Sequence, residues 1–145
     1  MKAVIQRVKY TSVTVDGRLI SEIPFGLAVY IGIGRGDSFN HADLMAKKIS
    51  KLRIFEDVNG KMNLSVSDVG GEVMLISQFT LYGDCSHGNR PSFIQAEEPA
   101  LALKIYKYLE SKLCQVGLKV KLGEFGADMK IEQFNDGPVT IIYEI

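Results

Sequence analysis

The chain has no tryptophan, only two cysteines, two histidines and four prolines, and no excess of charge, since 17 basic residues balance 17 acidic ones. Each shortage excludes something. Balanced charge gives the molecule no global field to draw it to phosphate-rich partners, so any contact with nucleic acid has to be local. Cys85 and Cys114 are too few for a disulfide framework, and with His41 and His87 they are too scattered for the four close ligands of a zinc site. This usage predicts a reducing compartment, the cytoplasm by default, and a site with no metal and no cofactor. Charge recurs every few residues in Met1-Lys2-Ala3-Val4-Ile5-Gln6-Arg7-Val8, which therefore has neither the apolar core of a signal peptide nor a membrane span. The usual hydrolase signatures are missing too. There is no Gly-x-Ser-x-Gly elbow and no His-Glu-x-x-His.

What is present is ordinary in bulk and specific in detail. With 145 residues the chain fits one domain, 1–145, and a domain of that size buries roughly 70% of the surface its unfolded chain exposes. The apolar share of 46% is enough for a core without staples. No repeat or linker-like tract divides it.

The pattern predicts a strand to about Lys9, then a hairpin of Ser12–Val15 and Arg18–Ile23 around Asp16-Gly17. Gly26–Ile33 reads as a β-rich apolar segment running into Gly32-Ile33-Gly34-Arg35-Gly36-Asp37. A helix from Phe39 would bury Ala42, Met45, Ile49 and Leu52, set Asp43 and Lys47 four apart as a pair, and turn Lys47 and Lys51 to water. Arg53-Ile54-Phe55 reads as a short strand before a turn at Asp57–Gly60, and Glu72–Leu81 as a central strand. A second helix from Pro99 to Gly117 would bury Leu101, Ile105, Tyr108, Leu109 and Val116. Leu118, Val120 and Leu122 alternate with Lys119 and Lys121 as a half-buried strand. Met129–Phe134 and Val139–Ile145 would form a strand pair around Asn135-Asp136-Gly137-Pro138. The fold class is β-rich α+β, with two helices packed on a sheet.

Three segments could carry chemistry. Cys85 and His87 lie two apart, but a thiolate pair usually meets through the fold and not through the sequence. The Gly32-x-Gly34-x-Gly36 turn has the shape of a phosphate cradle, although Asp37 stands where the third glycine of a dinucleotide fingerprint belongs. A plain strand-to-helix connection explains it as well. In Ser77-Gln78-Phe79-Thr80-Leu81, an extended strand end would put Gln78 and Thr80 on one face beside backbone amides able to stabilise an oxyanion. Gly137-Pro138 taken alone is an ordinary turn.

Together, Ser77-Gln78-Phe79-Thr80-Leu81 and Asn135-Asp136-Gly137-Pro138-Val139-Thr140 resemble the paired signatures of the D-aminoacyl-tRNA deacylases. Further similar stretches run along the chain, among them Ala3–Val8, Leu52–Phe55, Gly60–Ser65, Gly88–Phe93 and Phe125–Met129. The resemblance implies a hydrolase that frees D-amino acids, and glycine misattached to a non-cognate tRNA, from the tRNA ester. It implies a homodimer in which Gly137-Pro138, with a cis peptide bond, enters the partner's pocket and rejects L residues. tRNA and a second copy would be its partners, with neither membrane nor DNA among them. It implies that Ser77, Gln78, Phe79 and Thr80 form the catalytic segment, that Phe125 and Met129 hold the terminal adenosine, and that Arg7 braces the Gly-Pro loop. The ribose 2'-OH would help activate water in place of a protein base. Gly83 stands where relatives often have alanine, and Cys85-Ser86-His87 replaces a run that is frequently more basic, so that loop offers little grip on RNA. Two other readings stay open: a noncatalytic nucleotide- or tRNA-binding module using Gly32–Gly36, and a thiol hydrolase using Cys85 and His87.

Overall fold

The computed structural model describes residues 1–145. Strand β1 (Lys2–Val15) is the spine of the sheet. It is one continuous strand, where the sequence suggested a break at Lys9. β8 (Lys130–Glu144) lies antiparallel along one edge of β1 from Lys2 to Thr14. The other edge is shared: β3 (Gly26–Gly32) pairs with Lys2–Val8 and β2 (Arg18–Ile23) with Thr11–Val15. The Asp16-Gly17 turn joins β1 and β2 with both residues at positive φ, 48° and 75°, as an Asp-Gly hairpin requires.

From β3 the sheet continues through parallel pairings to β6 (Glu72–Ser77) and β7 (Val120–Leu122), giving the order β2-β1-β3-β6-β7. Parallel neighbours need long crossovers. One carries α1 (Phe39–Lys51) and the small antiparallel pair β4 (Arg53–Glu56) and β5 (Met62–Ser65). The other carries α2 (Pro99–Gln115). Ser21 of β2 donates its hydroxyl to the Leu122 carbonyl of β7 at 2.6 Å, drawing the two ends of the path together so that the sheet nearly closes into a barrel.

Both helices cover one face. The main core joins Ile5, Leu27, Val29 and Leu75 of the sheet to Met45 and Ile49 of α1 and Ile105 and Leu109 of α2. A smaller cluster of Val8, Val13, Ile23, Ala28, Met74 and Ile76 fills the other side. The α1 stripe is buried as expected at Ala42, Met45 and Ile49, but Asp43 pairs with Lys112 of α2 at 3.2 Å and not with Lys47. The α2 stripe is as expected at Ile105 and Leu109, with Tyr108 partly buried, but differs at its ends. Ala102, Ile105, Tyr106, Leu109 and Leu113 are buried, while Leu101 and Val116 are 40% and 54% exposed. Tyr106 goes inside because its hydroxyl donates to the Leu75 carbonyl at 2.7 Å.

Two further corrections bear on the site. β6 ends at Ser77, not Leu81, because its last ladder pair is Ile31 with Ser77 and β3 gives out one residue later. With no neighbour to pair with, the chain coils into a 3-10 turn, Phe79–Tyr82. The expected C-terminal strand pair is instead the single strand β8. Its register jumps from Val8 opposite Asn135 to Gln6 opposite Thr140, so Asp136–Val139 bulges out of the ladder.

Candidate active site

The 3-10 turn forms one wall of a pocket of about 600 Å³. Ser77, Gln78 and Phe79 line it from the end of β6, Ile31, Ile33 and Arg35 from the end of β3, Ala96–Pro99 from the start of α2, and Phe125–Met129 from the loop before β8. The pocket thus brings Ser77, Gln78, Phe79, Phe125 and Met129 together within one chain. Arg7, Thr80, Gly137 and Pro138 do not line it.

The turn's backbone leaves donors free at its head. Its first internal hydrogen bond runs from the Leu81 N–H to the Gln78 carbonyl at 3.3 Å. The Phe79 and Thr80 N–H groups come before that bond and have no acceptor within the turn. Backbone donors of this kind can stabilise a developing oxyanion. Gln78 Nε2 donates to the Thr80 hydroxyl across the turn, so the two polar side chains meet even though the segment is not a strand. Phe79 is 58% exposed and stands edge-on to Phe93 at 5.1 Å between centroids.

The glycines of the Gly32–Gly36 turn explain how this wall is held. A Cβ on Gly34 would come within 2.5 Å of the Tyr82 ring, and one on Gly32 within 3.0 Å of the Gln78 carbonyl. Bare backbone therefore lets the 3-10 turn pack against the end of β3. Asp37 ties the same corner, accepting from the Gly34 N–H at 2.7 Å and from the Tyr82 hydroxyl at 3.4 Å. The Gly34 to Ala96 bridge then joins the corner to the segment leading into α2. Sequence reading missed Arg35, Phe93 and Ala96–Pro99 as lining residues. The glycine spacing was the available signal, and its meaning is close packing against Tyr82.

The thiol reading finds no support in the geometry. Cys85 is exposed, and His87 Nδ1 is 2.8 Å from the Ser86 hydroxyl in an exposed loop. His41 serves α1, its Nδ1 accepting from the Ser38 N–H at 2.9 Å. No three His, Cys, Asp or Glu side chains converge as a metal site would require. Among the pocket's charged groups, Arg35 lies 3.4 Å from Glu98 and Asp128 lies 2.8 Å from Lys130.

The Gly137–Pro138 bulge is a second, separate feature. Its peptide bond is cis, as the resemblance implies. Gly137 and Pro138 are exposed, while Val139 anchors the loop from inside at 9% exposure. Arg7, 6% exposed, reaches under it. Its Nε lies 3.2 Å from the Asp136 carbonyl and 3.3 Å from the Asp136 carboxylate, and its Nη1 donates to the Ile54 carbonyl at 2.8 Å. A polar chain flanks the bulge on the sheet: the Tyr30 hydroxyl donates to Gln133 (2.9 Å), Gln133 to Gln6 (2.8 Å) and Gln6 to Thr140 (3.2 Å).

A nearly closed sheet under two helices, with a pocket at the ends of β3 and β6, defines a small single-domain α+β protein. The chain belongs to the D-Tyr-tRNA(Tyr) deacylase family, whose model matches residues 4–144. Curated relatives named D-aminoacyl-tRNA deacylase from Geobacillus sp. (strain WCH70) and Bacillus cytotoxicus are each 51% identical over 99% of this chain, and over 95% and 99% of their own lengths. A solved structure described as a c-Myc DNA unwinding element binding protein is 42% identical, with TM-score 0.92 over 100% of this chain and 99% of that one. Another, of a probable eukaryotic D-amino acid tRNA deacylase, shares the fold at TM-score 0.86 with 14% identity, covering 99% of this chain and 98% of its own.

Proposed function

We propose that the chain cleaves the ester joining a D-amino acid to the 3' end of tRNA. The observation that carries this reading is the 3-10 turn at Phe79–Tyr82, with two backbone donors at its head beside a pocket whose lining holds no histidine or cysteine and whose carboxylates are engaged, Glu98 with Arg35, Asp128 with Lys130 and Glu97 with the Glu98 N–H. Such a site can orient an ester and hold its oxyanion, and in this reading the substrate brings the reactive hydroxyl. In this mechanism the ribose 2'-OH of the terminal adenosine helps activate a water molecule. The water oxygen bonds to the carbonyl carbon, and the Phe79 and Thr80 N–H groups, with Gln78, meet the oxyanion. The carbon–O3' bond then breaks and O3' takes up a proton, leaving free D-amino acid and tRNA. Ser77 supports the turn at the end of β6, and Phe125 and Met129 hold the adenosine.

The working unit is a homodimer in the cytoplasm. In each site the partner subunit supplies the exposed Gly137-Pro138 bulge, with Arg7 bracing its base. The bulge closes off the space an L side chain would occupy, so selection proceeds by exclusion and tolerates many D residues. Glycine, having no side chain to exclude, would be cleaved from a non-cognate tRNA as well. Supporting this unit, the free edge of β8 carries large apolar side chains in the open, Phe134 at 70% and Ile142 at 77% exposure.

The direct test follows ester loss from D-tyrosyl-tRNA and L-tyrosyl-tRNA side by side. Fast loss of the D ester alone is expected, and equal rates or none would sink the reading. A D substrate ending in 2'-deoxyadenosine should resist cleavage, whereas full activity on it would refute assistance by the RNA.

A further inference from the structure

Away from the pocket, α1 presents a stripe of cations that nothing in the chain neutralises. Lys47, Lys48 and Lys51 are exposed on the second half of the helix, and none has a carboxylate within 4.0 Å. Surface lysines elsewhere are often paired, as Lys112 is with Asp43 and Lys119 with Glu72. The acidic residue that helical spacing offers Lys47 is that same Asp43, which α2 has taken. The three lysines border a groove of about 360 Å³ between α1 and the end of β8. Lys48 Nζ sits over the Tyr143 ring at 4.7 Å, a cation–π interaction that holds the ammonium in place without discharging it. Arg53 closes the groove's far end, its own charge shared with nearby Asp57 and Asp68.

The groove and the pocket lie on connected elements. Arg35 lines the pocket, and α1 begins only a few residues later at Phe39. At 1.5 Å per residue, Lys47 and Lys51 lie roughly 12 and 18 Å along the helix from that end, and one turn from each other. A stacked nucleic-acid strand advances about 3.4 Å per nucleotide, so this distance corresponds to about four or five nucleotides.

We infer that the Lys47, Lys48 and Lys51 stripe is the docking surface for the tRNA body, taking backbone phosphates several nucleotides before the esterified 3' end. The inference rests on the aminoacyl-tRNA reading of the pocket. In a chain with no net charge, a local unpaired stripe is how affinity for a polyanion can be supplied. It touches no base edges and so carries no sequence preference, as suits an enzyme that edits many tRNAs.

The test measures binding of uncharged tRNA by fluorescence anisotropy over a range of salt. It uses the full chain, a Lys47→Gln/Lys48→Gln/Lys51→Gln triple variant and the matching triple Arg variant, with circular dichroism confirming that all three fold. The Gln variant should bind about tenfold or more weakly. Its plot of log affinity against log salt should be shallower by roughly two units, since each phosphate that is no longer neutralised removes about 0.7–0.9 from the slope. The Arg variant should retain both affinity and slope. Equal affinity and slope for the Gln variant would overturn the inference, even if D-aminoacyl-tRNA is cleaved normally. A change in sedimentation of the Gln variant with unchanged tRNA affinity would overturn it in favour of an interface with another copy. Lysine-dependent tRNA binding by a chain that leaves the D ester intact would uphold the docking surface and sink the hydrolytic reading instead.

Discussion

Thr11 is wholly buried in β1, and its hydroxyl has no hydrogen-bond partner. An unsatisfied buried hydroxyl costs stability that an isosteric methyl would not. Thr11→Val should therefore raise stability by about 1 kcal/mol, read from the urea midpoint at constant slope. Gly137 works the other way. Its φ is +124°, and a Cβ there would meet Val139 Cγ2 at 2.9 Å and Arg7 Nη2 at 3.2 Å. Gly137→Ala should lower the Tm as well as the turnover of D substrate, so loss of activity alone would not show that a side chain had entered a pocket. The acid side of the stability curve offers a third measurement. Asp57 is held below the usual carboxylate range by accepting the Lys61 and then the Asn59 N–H in the turn between β4 and β5. Because its folded value is lowered, its contribution is present above the unfolded value of about 3.9 and is lost as pH falls through the lower folded one. The Tm gap between the parent chain and Asp57→Asn should be steady near neutrality and close below about pH 4.

At the scale of elements, much was legible because hydrophobic period and turn chemistry act locally. The Asp16-Gly17 hairpin, the buried face of α1, and Pro99 and Gly117 at the ends of α2 all follow from neighbouring residues. What was not legible depended on partners distant in sequence. Nothing in Glu72–Leu81 says that β3 stops opposite Ser77 and forces the 3-10 turn. Nothing in α2 says that Leu75 will accept a hydrogen bond from Tyr106 and bring that ring into the buried stripe beside Ile105 and Leu109. The site divides along the same line. Ser77–Leu81 and Asn135–Thr140 stood out as motifs, but the close packing of Gly34 on Tyr82 belongs to two segments nearly fifty residues apart. Gly34→Ala forces apart the two corners that shape the pocket. It should cost about 1–3 kcal/mol in stability and reduce D-ester turnover more than binding of uncharged tRNA, a comparison that steady-state kinetics and anisotropy make together.

At the scale of the whole molecule, the pocket and the Gly137-Pro138 bulge are separate features of one chain, and a homodimer would bring each to the other. Mixing two inactive variants tests this: one altered at Gln78 in the turn, the other at Gly137 in the bulge. If the sites are shared across a two-fold interface, random reassociation should restore about a quarter of the parental sites, and a mixture no more active than its components would mean that each chain works alone. β8 carries a constraint of its own. In sequence order it and the loop before it pass the pocket at Met129, the bulge at Gly137 and the cationic groove at Tyr143. Side chains alternate faces along a strand, so adding or deleting a single residue upstream of the bulge would reverse the facing of everything beyond the change. Over Lys130–Glu144, length variation should therefore be far less tolerated than substitution, and natural indels should collect instead in exposed turns such as Val58–Gly60 and Cys85–Arg90.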